Sequence, residues 1–127
     1  MGVPHGGHTA STWKQEIAWS GGFFCADGYI TWLPGLGLTL LVARRGRRAL
    51  ELLDRLSRAL AHGRIYRLRV RPSADLHVWL VSGADARKAL DLLWPWLTEH
   101  RRDQALAAFE RMLPASTEEP ADSVSQQ

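Results

Sequence analysis

The stretch Trp19-Ser20-Gly21-Gly22-Phe23-Phe24-Cys25-Ala26-Asp27-Gly28 constrains this chain more than any other. It reads as the last turns of a helix opening at Thr12, where Thr12 and Gln15 form a capping box and Glu16 suits the positive end of the dipole. Ala18, Gly22 and Ala26 recur every four residues and so share one face. Each interior glycine costs about 1 kcal/mol against alanine, so a helix carrying both Gly21 and Gly22 needs a compensating contact, and close packing of a second backbone supplies one. Gly28 is expected to end the helix in the left-handed conformation that glycine tolerates best. Asp27 faces the negative end of the macrodipole, a conflict that a nearby cation would resolve. If the stripe meets its own copy about a two-fold axis, two Asp27 carboxylates arrive side by side, where they share a proton or bind metal.

With 127 residues, the chain suits one domain and one modest core. A net charge of +3 and a pI near 9.6 lean towards a polyanionic partner. No apolar run reaches the roughly 18 residues of a membrane span, and Met1 to Ser11 lacks a basic-then-apolar signal pattern. The lone Cys25 cannot form an intrachain disulfide, which favours a reducing compartment: the cytoplasm, or an organelle matrix for an organelle-encoded chain. Residues 1–11 read as a flexible N-terminal arm, and His5 and His8 in it as solvated rather than metal-bound.

After the glycine-bearing helix, Tyr29 to Leu33 and Leu36 to Ala43 form a hairpin about Pro34-Gly35. Ile30, Trp32, Leu38, Leu40 and Val42 face the core; Tyr29, Thr31, Leu33, Gly37, Thr39, Leu41 and Ala43 line an unusually apolar opposite face. Between Arg44 and Arg71 stand ten arginines against Glu51 and Asp54 alone. Arg47 to Ala61 spaces Leu50, Leu53, Leu56 and Leu60 as a helix that Gly63 closes. Arg64 to Arg71 alternates strictly, which predicts Tyr66, Leu68 and Val70 inward and Arg67, Arg69 and Arg71 outward, where a phosphate backbone is the simplest counter-charge. Pro72-Ser73 turns the chain into Leu76 to Val81, with Leu76, Val78 and Leu80 inward and Asp75, His77 and Trp79 sharing the arginine face. Asp85 to Leu93 is a further helix that stops near Pro95. A last one, Glu99 to Met112, turns Leu106, Phe109 and Leu113 to the core, and residues 114–127 read as a disordered acidic tail.

Ser20 to Gly28 resembles the nine-residue motif of the LAGLIDADG homing endonucleases: Gly22, Ala26, Asp27 and Gly28 match, and Cys25 stands where the motif has its first acidic residue. A second segment, Leu93-Trp94-Pro95-Trp96-Leu97 followed by His100-Arg101-Arg102-Asp103-Gln104-Ala105, resembles the family's proline and aromatic pair before a basic residue and a Gln-Ala. The resemblance covers residues 12–113 and implies an α+β fold of order αββαββα, with a four-stranded antiparallel saddle sheet and a C-terminal helix.

With one motif copy, it further implies a homodimer joined through Ala18, Gly21, Gly22, Cys25 and Ala26. Asp27 and the backbone carbonyl of Ala26 would hold Mg²⁺ or Mn²⁺. Arg44 takes the place of a polar residue that organises water near the metals, and Arg101, with His100 as alternative, that of the family's basic residue at the site edge. The expected activity is metal-dependent cleavage of double-stranded DNA at a pseudo-palindromic target. Thr31, Leu33, Thr39, Arg64, Arg67, Arg69, Arg71, His77 and Trp79 would then contact the DNA. Two rival readings accompany it: a non-cutting DNA-binding regulator on a degenerate scaffold, and an RNA-splicing maturase.

Overall fold

The computed structural model describes residues 3–69 and 75–111. In chain order these form helix α1 (Val3–Asp27), strands β1 (Gly28–Leu33) and β2 (Gly37–Arg45), helix α2 (Ala49–Leu60), strands β3 (Arg64–Leu68) and β4 (Leu76–Ser82), helix α3 (Gly83–Leu93), a 3₁₀ turn (Trp94–Trp96) and helix α4 over residues 99–111. The class is α+β, as expected: one four-stranded antiparallel sheet in the order β1-β2-β4-β3, with the helices on one face.

Helix α1 starts at Val3 rather than Thr12, so Thr12 and Gln15 lie inside the helix rather than at its start. Pro4, the strongest breaker in that segment, falls in the first turn, where its missing N–H leaves no helical bond unmade. At the other end Gly28 is the first residue of β1 and does not take the left-handed conformation. Its requirement is for space, since a Cβ there would overlap the Phe24 ring and carbonyl.

The core lies between the helices and the sheet. Ile17 and Phe24 of α1, Leu53, Leu56 and Leu60 of α2, and Ala86, Ala89, Leu90 and Leu93 of α3 close over Ile30, Leu38, Leu40, Val42, Trp79 and Val81. Each large side chain removed from water contributes about 1.5–3 kcal/mol. Leu106, expected to face the core, is half exposed, as is Leu50 of the α2 spacing, while Ala49 of α2 and Ala105 and Ala108 of α4 are buried; Leu113 lies outside the described residues. Small residues win these positions because they let the helix backbones approach.

The first hairpin has the expected faces, and Gly28↔Val42, Ile30↔Leu40 and Trp32↔Leu38 are paired on the core side. The second hairpin is inverted. Ile65 pairs with Trp79 and Arg67 with His77, while Tyr66 pairs with Val78 and Leu68 with Leu76. Opposed residues share a face, and Trp79 is fully buried, so Ile65, Arg67 and His77 lie on the helix side and Tyr66 and Leu68 on the open side. Two interactions fix this phase. The Trp79 Nε1–H donates to the His62 carbonyl at 3.0 Å, giving the indole both burial and a satisfied donor. Gly63, at φ +102°, leaves the room: a Cβ there would overlap the indole. Arg71, Val70 and the Pro72-Ser73 turn lie outside the described residues.

Candidate functional site

Asp27 ends α1 with its carboxylate exposed, and Arg44 of β2 donates from Nη1 to its Oδ2. This is the cation that the helix dipole calls for at this end. Both side chains are about one-third exposed (35% and 32%), so the pair contributes no more than about 1 kcal/mol and can open at little cost. The Arg44 guanidinium also lies 5.5 Å from the Phe23 ring centroid. Phe23 stacks on Trp19 with centroids 4.9 Å apart, and Arg55 sits 3.9 Å over Trp19 while forking onto Glu16 at 2.7 and 2.8 Å. This ladder along Glu16, Trp19, Phe23 and Asp27 ties one side of α1 to α2 and β2. The hydrogen bonds from Arg55 hold the Glu16 carboxyl below the ordinary carboxylate range, and Glu16 raises Arg55 in return.

Arg101 is brought to the same helix end from α4, but onto the backbone. Its Nε and Nη2 donate to the Cys25 carbonyl at 3.1 and 3.0 Å, and its Nη1 donates to Gln104 Oε1 at 3.0 Å. The amide of Ile30 donates to that same Gln104 oxygen at 3.3 Å. A helix leaves its last four carbonyls without helical donors. Here the guanidinium covers that of Cys25, and Ile30, which would have served Ala26, turns to Gln104. The Ala26 carbonyl, one residue before Asp27, is therefore left without its helical donor. Two hard oxygens in sequence fit a Mg²⁺ or Mn²⁺ site, which takes about six such ligands, as the share that one chain of a pair would supply. Among the described residues no group of three His, Cys, Asp or Glu completes such a site within one chain.

The stripe on α1 divides in two. Gly21 is buried, and a Cβ on it would overlap Trp96 of the same chain, so its compensating contact is internal and it is not on the outward face. Cys25 is half-buried, with Sγ 3.5 Å from the Trp96 carbonyl and 3.3 Å from the Thr98 amide. A Cβ added to Gly22 would meet nothing within 4 Å among the described residues, and Ala26 is exposed. Gly22 and Ala26 thus keep the open face that a second helix would need.

The expected DNA contacts separate likewise. Thr31, Leu33 and Arg64 lie on the open sheet face, Thr39 beside them but buried with its hydroxyl donating to the Gly37 carbonyl at 3.1 Å. Trp79 is core and reaches no ligand. Arg67 and His77 form a helix-side row with Arg44, since His77 pairs with Arg44 on one side and with Arg67 on the other. Arg67 meets Asp75 at 2.7 Å, and His77 Nδ1 is buried with no hydrogen-bond partner among the described residues. Arg69 is exposed just beyond β3, and Arg71 lies outside the described residues. Where the strands end, the two faces meet in a recess lined by Asp27, Ala43, Arg44, Arg45 and Leu76. Arg45 has no role in the sequence reading and could have been found by continuing the β2 alternation two residues past Ala43; Asp75, expected on the face of Arg67, meets it there.

No helix among the described residues is long and apolar enough to cross a membrane. No protein-family model and no curated protein matches the chain. Among solved structures, the chain is similar to the archaeal intron-encoded homing endonuclease I-Vdi141I complexed with DNA, at 16% identity and a TM-score of 0.48. That likeness covers 63% of this chain and 54% of the other, so the chain spans about half the length of the structure it resembles.

Proposed function

We propose that the chain is a DNA-binding protein that works as a two-fold dimer through the Gly22 and Ala26 face of α1, and that Asp27 serves a metal-dependent endonuclease reaction there. The observation that carries this reading is the convergence of Asp27, Arg44 and Arg101 on one helix end from three separate segments. Asp27 and the Ala26 carbonyl of each subunit would hold Mg²⁺ or Mn²⁺, which when bound activates water and stabilises the departing oxygen of a phosphodiester. Arg44 keeps Asp27 screened until a phosphate draws the guanidinium away, and then adds positive charge at that phosphate. Arg101 holds the helix end still; with its Nε, Nη1 and Nη2 all engaged on Cys25 and Gln104, its part is position more than direct contact. The recess at the strand ends gives a polyanion on the open face a route to Asp27. A pseudo-palindromic duplex follows from the two-fold axis.

One observation favours the second reading, a DNA-binding regulator that does not cut: Asp27 already has a cation in Arg44. Incubation with a target-site library and Mg²⁺ separates the two. The endonuclease reading expects cleavage by wild type, lost in Asp27→Asn while binding persists. Binding without cleavage in wild type, unchanged in Asp27→Asn, supports the regulator.

A further inference from the structure

The open face of the sheet is apolar across all four strands. Tyr29 of β1 and Tyr66 and Leu68 of β3 are 48%, 46% and 47% exposed, and Leu41, Val78 and Leu80 lie between them on the same face. Thr31 is half-buried, and Thr39 turns its hydroxyl onto the Gly37 carbonyl, so few groups there can hydrogen-bond a base edge. Arg45 and Arg64 stand exposed on this face, and among the described residues neither is in an ion pair. A face apolar within and cationic along its margin complements a polyanion that displays apolar groups.

Duplex DNA displays one such group: the thymine C5-methyl, in a major groove wide enough for a β-ribbon. We propose that the open sheet face selects thymine-rich duplex by contact with these methyl groups, with Arg45 and Arg64 on the flanking phosphates. The inference rests on the reading that duplex DNA is the partner, and it adds what that DNA must carry. The arginine row that the alternation of β3 alone turns outward is not its basis, because Arg67 lies on the other face.

The test is binding of the full chain, by fluorescence anisotropy, to four duplexes: poly(dA·dT), poly(dA·dU), poly(dG·dC) and poly(dG·dC) carrying 5-methylcytosine, with oligo(dT) as the single-strand control. Deoxyuridine removes only the methyl group, and 5-methylcytosine adds one at the equivalent ring position. The expected result is weaker binding to the dU duplex by about four-fold per methyl contacted, and a gain on cytosine methylation. Leu68→Gln and Val78→Thr should each narrow the dT to dU ratio, with circular dichroism confirming the fold. Equal affinity for the dT and dU duplexes overturns the proposal while leaving duplex binding intact. Tighter binding of oligo(dT) than of any duplex overturns it in favour of base stacking on Tyr29 and Tyr66. Failure to bind every duplex removes the DNA reading itself. Self-association at protein excess that Leu68→Gln abolishes would instead give the face to a second copy.

Discussion

The two hairpins carry similar alternating patterns and differ in what sets their phase. In β1–β2 the apolar residues of the core side, Ile30, Leu38, Leu40 and Val42, are large and consecutive in register, and the tyrosine and threonines fall on the other side. In β3–β4 the count favours Tyr66, Leu68, Val78 and Leu80 as core, yet the opposite phase wins, led by Trp79 with its volume and its bond to His62 and joined by Ile65 and Val81. A one-residue change of phase moves every side chain of a strand to the other face, so this indole also carries Arg67 and His77 to the helix side. The lesson is that the largest side chain with a polar handle outweighs a larger number of smaller apolar ones.

The greatest expected effect follows from that comparison. Trp79→Ala should cost about 3–5 kcal/mol in urea unfolding, whereas Leu68→Ala on the open face should stay within about 0.5 kcal/mol. The reverse ranking would restore the expected phase. Gly63→Ala comes next, because it strikes the same indole from a left-handed backbone; a loss of about 1–3 kcal/mol is expected by thermal melting. The turn glycine of the first hairpin has no core side chain against it, and Gly35→Ala should cost only its positive φ, about 1 kcal/mol. For Gly22→Ala the protomer should gain about 0.5–1 kcal/mol from helix propensity, since the added methyl meets nothing among the described residues.

The smallest effect concerns the ladder along α1. Glu16 has a lowered pKa in the folded chain, so its bond to Arg55 stabilises above the ordinary carboxylate range and is lost as pH falls through the lowered value. Glu16→Gln should therefore reduce stability slightly near neutral pH and flatten the acid limb of a stability profile. An unchanged profile would mean the pair contributes nothing measurable, as exposed pairs often do.

Element order, the first hairpin and the helix-end position of Asp27 were legible because each rests on local pattern: alternation, turn residues and small-residue spacing. The cation expected near Asp27 was legible from the dipole, and Arg44 provides it. What stayed hidden depends on contacts far apart in sequence. Trp96 fills the space of Gly21, Trp79 reaches back to His62, and Arg101 binds the Cys25 carbonyl across 76 positions. The start of α1 was missed for a different reason, since a capping box at Thr12 signals a helix start only when the preceding residues leave the helix.

The proposed chemistry depends on two copies of α1 meeting at Gly22 and Ala26 and bringing the Asp27 carboxylates together. Sedimentation equilibrium of the full chain, with and without duplex DNA, reads this out when wild type is run beside Gly22→Leu, whose Cβ meets nothing among the described residues of the protomer. Wild type should sediment at twice the 14.2 kDa chain mass and the variant as a monomer. A wild-type monomer under both conditions, or a variant that dimerises as well as wild type, would contradict the shared-helix dimer.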